Sequence, residues 1–310
     1  MRSRKALVTT AFVAALTASS VCHAQQDLGH KTLGTVGLDA GTQPQPGIYV
    51  SDRLMFYNAN VLVGRTGQAL PVGLDIDVVA NGIGVLGVWK LPVLGASYGA
   101  AVAAPLTHVS AQTANPEASL DRFGLADAYL LPLQLGWHTP RLDVVASYAL
   151  YAPTRNLAAG GVGGIGRSQW VQEPALGSTV FFDAARTWRL SALGSIDFYA
   201  RKPGLDVTRG TSMQLQGGLG KTLARIVDVG VAGAALWQVS DDRGADLPPQ
   251  LQGLRERAFS VGPELGLLIP QWRLKVLGRY EHDFGDRARP VGQIFLVGLS
   301  WAAWKPEATP

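Results

Sequence analysis

The sequence predicts an all-β protein: an antiparallel up-and-down transmembrane β-barrel of about twelve strands, with ten to fourteen as the bounds. Three observations carry this. The chain is 47% hydrophobic and 16% charged, yet after its N-terminus it has no run of about 18 apolar residues, the length a spanning helix needs. Its apolar residues recur with a period of two, which puts successive side chains on opposite faces of a strand. The connections between these alternating segments are short and long in turn, as in barrels with short turns at one end and long loops at the other.

Residues 1–24 read as a secretory signal. Arg2, Arg4 and Lys5 form a basic start, Ala6 to Ala18 an apolar stretch, and Cys22-His23-Ala24 a small-residue cleavage site before Gln25. An uncleaved anchor helix is the competing reading, and the apolar stretch is too short for it. A lipoprotein reading with Cys22 as the lipidated residue lacks the usual residues before the cysteine. Removing 1–24 takes away the single cysteine and three of 27 basic residues, so formal charge falls from +4 to +1 (24 against 23 acids). The mature chain therefore has no thiol chemistry, and its near-neutral charge argues for no nucleic-acid partner.

Residues 25–46 are rich in strand breakers, among them Gly34, Gly37, Gly41, Pro44 and Pro46. They are expected to lie at the periplasmic mouth or to enter the lumen as a plug. The barrel is expected over residues 47–304. Its strands are read near 47–58, 74–89, 95–106, 122–136, 141–152, 173–184, 187–200, 210–223, 225–240, 257–268, 271–284 and 291–304. In the eleventh, Trp272, Leu274, Val276, Tyr280 and Phe284 face one way; Arg273, Lys275, Arg279, Glu281 and Asp283 face the other. Such strands match the ~9–11 residues of a membrane crossing better than the ~5–6 of soluble sheets. Aromatics such as Trp188, Phe198, Trp237, Trp272 and Trp301 fall near strand ends, where interfacial girdles belong. Long loops are expected at 59–73, 107–121, 153–172 and 241–256. An even strand count places both ends in the periplasm. Residues 305–310 form a polar tail. A soluble β-sandwich also alternates, but strand length, loop asymmetry and the lack of disulfides in an exported chain oppose it.

The sequence resembles the outer-membrane protein family named for the meta-pathway of phenol degradation. The resemblance rests on Gly29-His30, Gly37 to Tyr49, Leu94-Gly95-Ala96-Ser97-Tyr98-Gly99 with Pro105, and Phe123-Gly124-Leu125-Ala126-Asp127 with Pro132 to Trp137. It continues through Tyr151-Ala152-Pro153-Thr154, Gln238 to Asp242, Val261-Gly262-Pro263 and Arg289-Pro290-Val291-Gly292. The order of these short motifs covers nearly the whole mature chain. Arg155 stands where the family usually has glycine. The resemblance implies an outer-membrane barrel that passes small hydrophobic molecules and accompanies the catabolism of aromatic compounds.

The polar faces supply the candidate lumen and selectivity residues: Tyr49, Arg53, Tyr57, Arg141, Asp143, Arg189, Asp197, Asp228, Arg273, Lys275, Arg279, Glu281 and Asp283, with Ser51, Asp75 and Asp77 beside them. Charged rings select what crosses a pore; oppositely charged residues inside a barrel also simply pair and fill it. Both readings stand. Frequent inward glycine and alanine would leave free volume, so a narrow, porin-like pore gated by the N-terminal segment is expected.

No catalytic residues are assigned. His30, His108, His138 and His282 have no Gly-x-Ser-x-Gly partner, and no cysteine or histidine cluster suggests a metal. Gly160-Gly161-Val162-Gly163-Gly164 reads as loop, since no strand–helix context surrounds it. The expectation is a cofactor-free outer-membrane channel for passive uptake of small hydrophobic or aromatic compounds, through the lumen or a lateral opening. Its partners would be outer-membrane lipid, the outer-membrane assembly machinery and its small ligand. The alternatives are a lipid-modifying enzyme and a structural barrel without transport.

Overall fold

The computed structural model describes residues 33–91, 94–115, 117–154, 165–167, 169–249 and 251–306. The signal sequence, Gly29-His30, Arg155, the 160–164 glycine run and the end of the C-terminal tail lie outside the described residues. The strands are β1 (Gly47–Val63), β2 (Ala69–Leu70), β3 (Leu74–Leu91), β4 (Ala96–Ala114), β5 (Glu117–Leu125), β6 (Ala128–His138), β7 (Leu142–Ala152), β8 (Val171–Phe181), β9 (Trp188–Tyr199), β10 (Ser212–Leu223), β11 (Val227–Gln238), β12 (Arg257–Ile269), β13 (Leu274–Arg287) and β14 (Arg289–Trp304). Each long strand pairs antiparallel with its neighbour, and β14 pairs with β1 to close the wall. Setting aside β2 and β5, which only extend the rim, twelve strands form the barrel. Closure is what hydrocarbon requires, because an open edge would leave peptide groups without partners.

The period-two pattern sorts the faces. On β9, Arg189, Ser191, Ser195 and Asp197 are buried inward, while Trp188, Leu190 and Phe198 are exposed on the outside. Trp89, Trp188, Trp272, Trp301 and Trp304 mark the short-turn end of that outer surface; Phe198, Trp237 and Phe284 mark the long-loop end. Amphipathic rings settle at such boundaries.

The turns at the short-turn end are built for abrupt reversal. Arg186, Ala224, Arg225 and Arg273 all take positive φ there. In the β8–β9 turn, Asp183 accepts hydrogen bonds from the amides of Thr187 (2.9 Å) and Trp188 (2.7 Å). The Trp188 amide, above all, holds the Asp183 carboxyl below its usual range. This support is complete above the ordinary carboxylate range and is lost as pH falls through the depressed value.

Two readings are corrected. The strand expected at 122–136 is broken at Ala126-Asp127. The part before the break, β5, pairs only with the upper half of β4, from Leu106 to Ala114, and forms a hairpin above the rim in place of the long loop expected at 107–121. The alternation runs on through the hairpin, so periodicity alone could not find the break. Asp75 and Asp77 face outward, not into the lumen: Asp77 lies opposite Asn58 and bonds its amide at 2.8 Å, on the face that carries Val79, Ile83 and Val85. Asp52 is also outward, held by Asn81 at 2.6 Å.

Strand β6 carries a bulge. Registers with both β4 and β7 shift around Leu131 to Leu133. Proline has no amide hydrogen to give the ladder, and Pro132 drops out of both registers. Tyr98 donates its hydroxyl to the Pro132 carbonyl at 2.7 Å. Removing that donor with Tyr98→Phe should cost about 1–3 kcal/mol, the range for a polar group left without its partner. Urea unfolding of the refolded barrel in lipid vesicles checks this; an unchanged midpoint would show that the carbonyl finds another donor.

At the opposite rim, the loops after β9 and β11 share a small apolar core of Leu205, Val207 and Leu247. Thr208 and Arg243 exchange two backbone hydrogen bonds (2.7 and 2.9 Å). Glu256 joins this cap to the wall, receiving Arg209 and, at 3.0 Å, Arg289.

Candidate functional site: the lumen and the N-terminal segment

Residues 33–46 form no strand or helix, and they run inside the barrel. Gln45 and Gln43 start at the mouth: Tyr49 donates to the Gln45 carbonyl (2.7 Å), and Gln43 donates to Gln134 on β6 (3.1 Å). Thr42 reaches β7 and β8, bonding Asp143 (3.1 Å) and Thr179 (2.9 Å). The chain then climbs the wall formed by β9–β13 and ends with Leu33 among Leu236, Ala258, Ile294 and Leu296, under Met55 and Tyr57.

An irregular segment enclosed this way satisfies few of its own peptide groups, as where Ala40 and Thr42 donate to the Gly37 (3.0 Å) and Asp39 (3.1 Å) carbonyls, so the wall must meet others. Leu38 donates its amide to Glu264 (3.2 Å), and its carbonyl accepts from Arg189 (3.2 Å) and Ser191. Val36 donates its amide to Gln216 (3.0 Å). The carbonyls of Gly34 and Thr35 accept from Arg279 and, at 2.9 Å, from Arg53. Asp39 sits between Arg189 (3.4 Å) and Lys275. At Gly41 the backbones approach so closely that an added Cβ would lie 2.1 Å from Ser178.

The candidate charges therefore divide. Arg53, Asp143, Arg189, Lys275 and Arg279 touch the segment directly. Asp228 binds Arg189 (3.1 Å) and Lys275 (2.9 Å) behind it. Glu281 is buried beside Gly34, taking the Ser260 hydroxyl and lying 3.5 Å from Arg279. Asp283 accepts the Gly292 amide (3.3 Å), and Asp197 accepts the Tyr199 hydroxyl (3.1 Å). Tyr49 and Tyr57 both hold the segment. Arg141 and Arg273 do not line the lumen. They lie in the short turns, where Arg141 donates to the Phe182 carbonyl (2.7 Å) and Arg273 closes a 3-10 turn at φ 53°. Both stand at the start of an alternating run, just before β7 and β13 begin, where face and turn have the same spacing.

The rest of the lumen wall is different. On β3, β4 and β8 the inward positions include Val78, Ala80, Gly82, Ala101, Ala103, Pro105 and Ala175, all partly exposed. Tyr129 and Tyr151 stand among them with ring centroids 5.3 Å apart, and Arg167 covers the Tyr151 ring at 5.3 Å. Arg53, exposed, projects into the same space. One wall is thus charged and occupied; the other is mostly apolar and aromatic, its charges being Arg53, Arg167 and Glu173, which accepts the Tyr151 hydroxyl (3.3 Å). Tyr129 and Tyr151 were missed as site residues because a tyrosine in an apolar run gives no signal of its own. That these charges pair with the segment was missed because the two lie up to 245 residues apart, as with Arg279 and Gly34.

The histidines are dispersed. His108 meets Asp121 (3.2 Å) on the rim hairpin, His138 meets Asp143 (3.1 Å) at the short-turn end, and His282 faces outward.

Arg279 holds both Glu264 (2.8 Å) and the segment. Removing one partner of a buried ion pair costs about 3–5 kcal/mol, so Arg279→Ala should loosen residues 34–38. In a Cys22→Ser background, a cysteine placed at Val36 should then react with a polar maleimide at least tenfold faster. An unchanged rate would show that the apolar contacts alone hold the segment.

The chain superposes on several solved structures. An outer membrane channel from Pseudomonas putida F1 superposes with a TM-score of 0.72 at 11% identity, covering 85% of this chain and 97% of that one. The β domain of the Bordetella autotransporter BrkA gives 0.50 at 12% identity, covering 84% and 100%. The CymD monoaromatic hydrocarbon channel gives 0.46 at 10%, covering 88% and 95%. No curated protein sequence matches the chain. The model of the family described as "MetA-pathway of phenol degradation" matches residues 51–297, and the chain belongs to that family of outer-membrane barrels.

Proposed function

We propose that this barrel is a passive outer-membrane channel for small apolar solutes, aromatic ones included, and that residues 33–46 gate it. The observation that carries the reading is the two-sided lumen. Beside the occupied charged wall runs a strip of alanine, glycine, proline, valine and tyrosine, partly exposed to the interior. Charged groups on it are few, with Glu173 engaged by the Tyr151 hydroxyl and Arg167 over the Tyr151 ring, so most of the strip offers an apolar solute a path. Tyr129 and Tyr151 add π faces on which a flat ring can stack. The family, named for phenol degradation, supports aromatic cargo.

Residues 1–24 direct export, and the apolar outer surface rests in outer-membrane lipid after insertion by the assembly machinery. Solute enters at the long-loop rim between the 153–172 and 241–256 loops, moves down its gradient along the strip, and leaves past the segment at the narrow mouth. The selectivity role first read into the lumen charges is thereby narrowed: Arg189, Lys275, Arg279 and Asp143 set the gate, while Arg53 alone among the candidate cations projects into the open strip.

Uptake of labelled toluene or phenol into liposomes containing the refolded protein should be faster than into bare liposomes, and saturable. Deleting residues 26–44 should raise the rate severalfold. No difference from bare liposomes across aromatic and aliphatic solutes would remove the transport reading; uptake unchanged by the deletion would remove the gate.

A further inference from the structure

The segment does more than fill space; one side chain sits in a pocket built for something flat. Leu38 is fully buried. Its methyl groups lie where any side chain at Gly218, Gly220 or Gly230 would be, with an added Cβ at 2.7–2.9 Å from them. Gly220 pairs with Gly230 across β10 and β11, and Gly218 with Ala232. These four inward positions form a two-by-two block with no side chain larger than a methyl. Strands lie about 4.8 Å apart and alternate residues about 6.7 Å, so the block is a flat floor with the footprint of one aromatic ring.

Its borders are polar. Register places Arg189 beside Gly220 and Ser191 beside Gly218 on one side, and Glu264 beside Gly230 on the other. At present the Leu38 peptide meets them all: its carbonyl accepts from Arg189 and Ser191, and its amide donates to Glu264. A ring hydroxyl can do both at once, donating to Glu264 and accepting from Arg189 or Ser191.

We propose that this glycine-floored pocket is the binding station for cargo, that it takes a hydroxylated planar ring, and that Leu38 is its built-in competitor. The inference rests on the channel reading. Cargo and segment then exclude one another. The apparent affinity for cargo is the intrinsic affinity reduced by the fraction of barrels whose segment is withdrawn. Rings with a hydroxyl hold the pocket better than hydrocarbon rings, which leave the border groups unanswered.

The test is equilibrium binding to the full chain in lipid nanodiscs, blanked against empty nanodiscs. The probes are 4-nitrophenol, kept protonated at acidic pH, and nitrobenzene. Leu38→Ala should tighten 4-nitrophenol binding tenfold or more. Adding Gly220→Leu, which refills the floor from the wall, should reverse the gain. In Leu38→Ala, nitrobenzene should bind at least tenfold more weakly than 4-nitrophenol. An affinity indifferent to Leu38→Ala, or a gain that survives Gly220→Leu, overturns the station. Liposome uptake with the wild-type chain separates the two claims. Uptake without a Leu38 effect on binding leaves the channel and removes the station; a Leu38 effect without uptake keeps the pocket and removes the channel.

Discussion

The interior of this barrel is organised by one constraint: an irregular stretch of chain lies inside it, and its peptide groups need partners. Water cannot supply them all in a narrow lumen, and the segment makes no ladder of its own. The wall therefore presents guanidinium, carboxylate, amide and hydroxyl groups at the heights where Gly34, Thr35, Val36, Leu38 and Asp39 pass. Charges that look like a selectivity filter when read along single strands are, in space, the lining of a groove for the protein's own chain. The opposite wall, free of that duty, can be alanine, glycine and tyrosine.

How far the sequence shows this depends on the range of each interaction. Strand existence is a local property. Side-chain alternation over β9, β11 or β13 and the tight turns between strands are both visible within twenty residues, so the twelve-strand wall and its closure follow from pattern and from the intolerance of lipid for open edges. Facing is less local. Asp75 and Asp77 were assigned inward on polarity, but register, fixed by Tyr57 opposite Val78 and Asn58 opposite Asp77, turns them out. The rim hairpin escaped for the opposite reason: β5 alternates as well as any spanning strand, and only its lack of a second partner distinguishes it. The residues that matter most for the lumen are joined across the whole chain, and nothing near Gly37-Leu38-Asp39 announces Arg189, Glu264 or Lys275 as partners. A signal did exist in Gly218, Gly220 and Gly230, whose spacing of two on neighbouring strands marks a patch of bare wall that something must approach closely.

The outer face meets a different demand. Membrane-exposed strands must be apolar, and Leu190, Val231, Leu265 and Leu299 answer it. Where the pattern fails, a neighbour compensates. Asp52 has Asn81, Asp77 has Asn58, and the bulged Pro132 has the Tyr98 hydroxyl. The same rule works inside and out: irregular backbone or a polar side chain is tolerated only beside a specific partner.

A gate that is part of the chain faces a difficulty of its own. Tethered at Gly47, the segment stays at an effective concentration on the order of millimolar for its groove, so a solute at low concentration competes with it only if the groove gives the segment up at small cost. The ion pairs of the wall make that possible. Glu264 keeps Arg279 at 2.8 Å, and Asp228 keeps both Arg189 (3.1 Å) and Lys275 (2.9 Å), whether or not the segment is there. Withdrawal therefore orphans none of these five charges. It gives up hydrogen bonds that water or a solute hydroxyl can replace, each of modest net worth, and it exposes Leu33 and Leu38. A wall of unpaired charges answered only by the segment would have sealed the barrel permanently. A purely apolar wall would have left the peptide groups unsatisfied and the lumen open. Pre-paired charges around bare glycine give a groove that holds its own chain and, on the gating proposed above, can release it.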